Sequence, residues 1–85
     1  MKQELTTREI EVLNMISYEY SSHEIASKLY VSPHTVQSHR KNLLLKLDAK
    51  NTAGMIRKGF ELGYLTVYAR VPTIPARGRR PLPQV

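Results

Sequence analysis

Residues 21–36 decide the fold, and they read SSHEIASKLYVSPHTV. Two helix starts lie inside this stretch. Ser21 and Glu24 have the spacing of a capping box, in which each side chain accepts a hydrogen bond from the backbone amide of the other residue. Ser32 precedes Pro33, and proline is favoured at the first helical position because its missing N–H has no helical partner there. The sequence therefore predicts two helices that are joined by a very short turn.

The turn between these helices consists of only three residues, 30–32. A connection this short forces two helices to cross steeply, which is the geometry of a helix-turn-helix motif. Ala26 on the first of the two helices suits such a crossing, because a small side chain lets the backbones approach. We expect the second of these two helices, which is the third helix of the chain, to cover residues 33–47. It should be about 22 Å long, enough to lie in the major groove of DNA.

The remaining segments also favour helices. A second capping box, formed by Thr6 and Glu9, predicts a helix over about residues 7–17. Asn51 is a good cap for a fourth helix, and Gly63 is expected to end that helix in a left-handed conformation. No alternating strand pattern competes with these helices. The expected fold class is therefore all-α, a four-helix, bundle-like helix-turn-helix domain over residues 1–65.

Composition narrows the class of protein. The chain has 85 residues, which is one small domain, and its net charge of +6 favours a polyanionic partner. It has no cysteine, so disulfides and thiolate metal sites are excluded. No apolar run approaches the roughly 20 residues that a membrane-spanning helix needs. We expect a cytoplasmic protein without a membrane partner.

The last segment, residues 66–85, differs from the rest of the chain. It carries four arginines, four of the five prolines and no acidic residue. Such a segment cannot bury enough apolar surface to offset the entropy lost on ordering. It is predicted to be a flexible, disordered Pro/Arg-rich tail. A phosphate-binding arm, a mobile spacer and sequence unrelated to the native protein are three open interpretations of it.

Three motifs together resemble a known family. They are LTTREIEVL at residues 5–13, SSHEIA at 21–26 and VSPHTVQSHRKNL at 31–43. In this order and spacing they are similar to the LuxR-type (NarL/FixJ) DNA-binding domain, over about residues 5–65. The resemblance implies sequence-specific DNA binding by the output domain of a bacterial transcription regulator, such as a response regulator. It also implies that the third helix reads the major groove and that the fourth helix pairs two copies on a two-fold site.

Carried over position by position, the resemblance implies roles for individual residues. The residues expected at base edges are Gln37, Ser38 and Lys41. The residues expected at DNA phosphates are Ser22, His23, Ser32, His34, Thr35, Arg40 and Lys46. The residues expected at a homodimer surface on the fourth helix are Met55, Lys58 and Leu62. The expected partners are double-stranded DNA and a second copy of the chain that pairs weakly without DNA, with RNA polymerase as a further candidate and no cofactor.

The sequence departs from the family pattern at several positions. Glu19 and Asp48 stand where the family usually has glycine at a helix end. Because glutamate tolerates a left-handed conformation poorly, we expect the first turn to be built differently. Leu45 replaces a usual basic residue and should expose an apolar side chain. Gly54 replaces a usual acidic residue and should weaken the start of the fourth helix.

Other interpretations of the same residues carry less weight. Capping explains Glu9 and Glu24 without a catalytic role. His34 and His39 are five residues apart on one helix and face different ways, so no metal site is expected. An enzyme is disfavoured because the chain has no glycine-rich phosphate loop and no nucleophile elbow. A protein-binding helical module and a sigma-factor-like promoter-reading domain, which would require polymerase, remain alternatives.

Overall fold

The computed structural model describes residues 4–66, and within that range the chain forms four helices and no strand. The helices are α1 (Thr7–Ser17), α2 (Ser22–Leu29), α3 (Pro33–Lys46) and α4 (Thr52–Glu61). The expected all-α architecture is confirmed, and α3 ends one residue earlier than expected. The segment 67–85, to which nearly all of the predicted tail belongs, lies outside the described residues.

The helices begin at the side-chain caps that the sequence predicts. At α1, Thr6 Oγ1 accepts a hydrogen bond from the Glu9 amide at 3.1 Å, and Glu9 Oε1 accepts one from the Thr6 amide at 2.9 Å. The same reciprocal pair forms at the start of α2. At α4, Asn51 Oδ1 accepts from the Gly54 amide at 2.9 Å. Glycine at position 54 therefore lacks only the second hydrogen bond of a capping box, which an acidic side chain would accept from the Asn51 amide.

All four helices end in one way, with a residue of positive φ just past the helix. These residues are Glu19 (φ 69°), Tyr30 (φ 58°), Asp48 (φ 55°) and Gly63 (φ 86°). In each case the next residue donates its amide to the carbonyl five residues back, as in a Schellman motif. The left-handed end at Gly63 is confirmed. The expectation of a different turn at Glu19 was wrong, because the backbone adopts the left-handed form although a Cβ atom disfavours it.

One apolar cluster lies between the helices. Its buried members are Leu5, Val12, Leu13, Ile16, Ile25, Ala26, Val36, Leu43, Leu47, Met55 and Leu65. α3 packs on the other three helices, and α1 also packs on α4. Gly59 sits where a side chain would collide, since a Cβ atom there would lie 2.7 Å from Leu65 Cδ1 and 3.2 Å from Leu13 Cδ2.

The packing of α3 determines which of its faces is available to a ligand. Val36 and Leu43 are both completely buried, so the side of α3 that carries them is held against the core. The opposite side is left at the surface. Residues 4–66 contain neither a helix long and apolar enough to cross a membrane nor a cluster of three or more possible metal ligands.

Candidate nucleic-acid interface

The exposed side of α3 carries a stripe of polar side chains. His34, Ser38 and Lys41 follow one another at steps of four and three residues, which places them on one side of a helix. All three are exposed. Gln37 is also exposed and stands four residues before Lys41, so it lies beside the same stripe. The three residues expected at base edges therefore share one surface of α3.

This surface borders an open hollow of about 470 Å³ between α3 and the start of α4. The polar residues that line the hollow are His34, Gln37, Ser38, Arg40, Lys41 and Thr52. The structure thus brings the three expected base-contacting residues together with two of the expected phosphate-contacting residues. Thr52 was not predicted as part of the site, and the only signal for it is its position directly after the Asn51 cap.

Two hydrogen bonds tie the side chains of α3 to the neighbouring helices. Gln37 Nε2 donates to Ser22 Oγ at 3.1 Å, which links α3 to the start of α2. Arg40 Nη2 donates to Thr52 Oγ1 at 3.1 Å, which links α3 to the start of α4. Gln37 and Arg40 are therefore already oriented by neighbouring helices in the protein alone.

The other residues expected at phosphates surround the starts of α2 and α3. Ser22 is half-buried and His23 is exposed, both in the first turn of α2. Ser32 Oγ accepts from the Thr35 amide at 3.1 Å and lies 3.0 Å from Thr35 Oγ1. Both of these hydroxyl groups take part in the cap of α3. Their contact with phosphate stays a prediction.

Lys46 occupies a different environment from the one expected. Its Nζ lies 2.9 Å from Glu9 Oε1 and 3.4 Å from the Glu4 carbonyl oxygen. The Glu9 side chain is only 5% exposed and that of Lys46 is 21% exposed. Burial raises the pKa of the Glu9 carboxyl, but hydrogen bonds from the Lys46 ammonium and the Thr6 amide outweigh burial and hold the pKa below its usual value. Because the ammonium neutralises a buried carboxylate, we remove Lys46 from the phosphate-contacting set.

The predicted dimer surface on α4 also needs a correction. Met55 is 1% exposed and belongs to the core, so its assignment to a surface for a second chain was wrong. The spacing of apolar residues along α4 does not by itself distinguish Met55 from its outward-facing neighbours. Lys58 is half-buried, and Leu62 is 50% exposed. Phe60, which was not predicted at this surface, is 41% exposed.

Leu45 extends the exposed side of α3 with an apolar side chain. It is 73% exposed, which confirms the expectation from sequence. It follows Lys41 by four residues and Ser38 by seven, so it lies on the same side of the helix. The stripe therefore changes from polar to apolar towards the end of α3.

The fold and this surface define a helix-turn-helix domain, and comparison with known proteins gives its family. Residues 3–58 match the family GerE, described as bacterial regulatory proteins of the luxR family. The chain belongs to this family, whose helix-turn-helix domain binds DNA in response regulators and other transcription factors. It is a family of regulators and not of enzymes.

Individual relatives agree with this assignment. The chain is similar to the uncharacterized response regulatory protein YgeK of Escherichia coli (strain K12), with 36% identity over 64 residues. The match covers 75% of this chain and 44% of YgeK, so the chain spans less than half of that relative's length.

Two solved structures share the fold. The transcription factor GerE has a TM-score of 0.70 and 32% identity, and the match covers 73% of this chain and 92% of GerE. A VqmA–ligand–DNA complex from Vibrio cholera has a TM-score of 0.70 and 28% identity, over 80% of this chain and 30% of VqmA.

Proposed function

We propose that the domain binds double-stranded DNA sequence-specifically with α3 in the major groove, as the output domain of a bacterial transcription regulator. One observation carries the proposal. Gln37, Ser38 and Lys41 share the exposed surface of a helix whose other side is locked in the core. The helix has 14 residues and is therefore about 21 Å long. A role on the bacterial chromosome places the protein in the cytoplasm.

The chemistry of this surface suits base edges. The Gln37 amide offers an acceptor and a donor, which match the N6 amino group and N7 of adenine. The Lys41 ammonium offers donors to O6 and N7 of guanine. Ser38, which lies between them in the sequence, can donate or accept. The three side chains thus supply the groups that distinguish base pairs in the major groove.

Phosphate contacts are expected on both sides of this surface. The first turn of α2 has backbone N–H groups without helical partners, and such groups favour a nearby anion. The hydrogen-bonding side chains that would join them are Ser22, His23, Ser32, His34, Thr35 and Arg40. Contacts of this kind fix the orientation of a protein on the duplex without reading its sequence.

The proposal is tested with two substitutions on α3. Gln37→Ala should cost about 1–3 kcal/mol on the preferred site, relax base choice at one position and leave affinity for unrelated DNA nearly unchanged. Arg40→Ala should weaken binding to all sequences and lower the salt dependence of log K by about one contact. Fluorescence anisotropy with a duplex selected from a random pool, and with a scrambled duplex, measures both effects.

A charge-matched control is available on α1. The Arg8 side chain is 44% exposed on α1, where no DNA or pairing contact is proposed, so Arg8→Ala should change neither base choice nor the salt dependence. Circular dichroism confirms that each variant is folded. If Gln37→Ala weakens all sequences equally, or Arg40→Ala alters base preference, the reading face has been assigned to the wrong side of α3.

We further propose that two copies pair on DNA through α4. The exposed apolar side chains of Leu62 and Phe60, next to half-buried Lys58, support this surface. They are few, so pairing should be weak without DNA, and DNA should assemble two copies on half-sites about 10 base pairs apart. Sedimentation that shows a tight dimer at micromolar concentration without DNA would contradict weak pairing.

RNA polymerase is the further partner that we propose for a promoter-bound regulator of this family. DNA binding itself should not need polymerase. Binding that appears only when polymerase is added would instead favour the sigma-factor-like alternative, and the absence of any DNA binding would favour a protein-binding module.

A further inference from the structure

The hydroxyl group of Ser22 is not used to cap α2. That role belongs to Ser21, whose side chain accepts from the Glu24 amide at 3.1 Å. Ser22 Oγ instead accepts a hydrogen bond from Gln37 Nε2 at 3.1 Å, across 15 residues of sequence. The side chain at the start of α2 thus holds the long, exposed side chain that is expected to read a base.

We propose that Ser22 is a positioning residue for base reading, because it holds the Gln37 amide in place before DNA arrives. The inference rests on the proposed function, in which Gln37 contacts a base. A free glutamine side chain has many rotamers, and fixing one of them on binding costs entropy. A side chain that is already ordered in the free protein loses less entropy, so its contact contributes more to base choice.

The atoms needed for base recognition remain available in this arrangement. Ser22 Oγ takes up one of the two N–H groups of Gln37 Nε2. The second N–H group and Oε1 remain, and these are the donor and acceptor that match N7 and N6 of adenine. Ser22 also keeps its own hydroxyl proton, which it can donate to a phosphate. A phosphate-bound Ser22 can therefore still hold Gln37.

Binding measurements test the inference with Ser22→Ala, Gln37→Ala and the double variant. The probes are duplexes that differ only at the base pair whose preference Gln37→Ala relaxes. Ser22→Ala should lower discrimination at this base pair about two- to tenfold, the effect of one hydrogen bond. In the Gln37→Ala background it should have no further effect on discrimination. Ser22→Thr, which keeps the hydroxyl group, should restore discrimination.

Ser27→Ala provides a matched control, because Ser27 is an exposed serine on the same helix. It should leave discrimination unchanged. If Ser22→Ala weakens binding to all duplexes by the same factor in both backgrounds, Ser22 is a phosphate contact only and the inference is overturned. If Gln37→Ala itself leaves base preference unchanged, the proposed base contact fails and the inference fails with it.

A measurement without DNA separates the two failures. NMR relaxation of side-chain amides should show Gln37 more ordered than the exposed Asn42 on the same helix, and Ser22→Ala should remove the difference. If Gln37 is as mobile as Asn42 in the wild type, Ser22 does not hold it. That result overturns the inference alone and leaves the proposed base contact standing.

Discussion

Lys46→Met should lower the free energy of unfolding by about 2 kcal/mol. Removing one partner of a buried ion pair typically costs about 3–5 kcal/mol, because the other charge is left uncompensated. The Glu9 side chain is 5% exposed, whereas that of Lys46 is 21% exposed, so this ion pair is only partly shielded from solvent. The Thr6 amide also remains bonded to Glu9 Oε1 at 2.9 Å, and methionine fills much of the lysine stem's volume. Both features place the cost below the typical range.

Thermal unfolding followed by circular dichroism measures this loss. For a domain of this size, about 2 kcal/mol corresponds to a decrease in Tm of about 8–16 °C. Arg57→Met is the matched control, because Arg57 Nε lies 2.9 Å from Glu61 Oε2, the same separation as in the buried pair. These side chains are 79% and 50% exposed. Because water solvates the charge that is left when its partner is removed, the control should barely shift Tm. Equal shifts in the two variants would refute the reasoning from burial.

The same substitution tests the reassignment of Lys46. Below its unfolding temperature, Lys46→Met should bind DNA with the salt dependence of the wild type, because the ammonium is committed to Glu9. A salt slope lowered by about one contact would show instead that Lys46 does bind a phosphate.

The pH dependence of stability has a defined sign at this site. The folded pKa of Glu9 is lowered, so between the folded and unfolded pKa values only the unfolded chain takes up a proton. The stability that Glu9 contributes is complete well above its unfolded pKa of about 4.3 and is lost as the pH falls through the folded pKa. Glu9→Gln should therefore unfold at a lower Tm near neutral pH and lose less stability than the wild type on acidification. Parallel pH profiles would contradict this.

The remaining predictions concern backbone conformation and are measured by the same unfolding experiment. Gly54→Ala should raise stability by about 0.5 kcal/mol, since alanine favours helix and its Cβ would make only ordinary van der Waals contacts, the nearest with Ala49 Cβ at 3.5 Å and Asn51 Oδ1 at 3.6 Å. Gly59→Ala should lower stability by about 1–2 kcal/mol, because the added Cβ lies 2.7 Å from the side chain of buried Leu65. Glu19→Gly should raise stability by about 0.5–1 kcal/mol, since glycine adopts the positive φ of 69° without strain. The opposite sign in any of the three would show that the local explanation is wrong.

The features that could be predicted from sequence are local ones. A cap and its partner lie three residues apart, so the boxes at Thr6 and Ser21 and the single cap at Asn51 are visible in the sequence itself. The same holds for the exposed side of α3, because Val36 and Leu43 set the rotation of that helix. These local signals were sufficient for the starts of the helices and for the side of α3 that is exposed, while the contact of that side with bases stays a prediction.

The features that could not be predicted depend on contacts between distant residues. Lys46 reaches Glu9 across 37 residues, and no periodicity reveals such a partner. Met55 resembles an outward-facing residue by spacing, yet the packing of α4 buries it. Tertiary contacts thus decide the environment of the side chain at these two positions.

The ratio of affinities for a selected duplex and a scrambled duplex, measured at physiological salt, tests the central claim most directly. Two base contacts, by Gln37 and Lys41, at about 1–3 kcal/mol each predict at least a roughly 30-fold preference for the selected duplex. Raising the salt concentration should weaken both complexes, since each phosphate contact releases counterions. Equal affinity for the two duplexes at every salt concentration would contradict the claim that α3 reads the sequence of DNA.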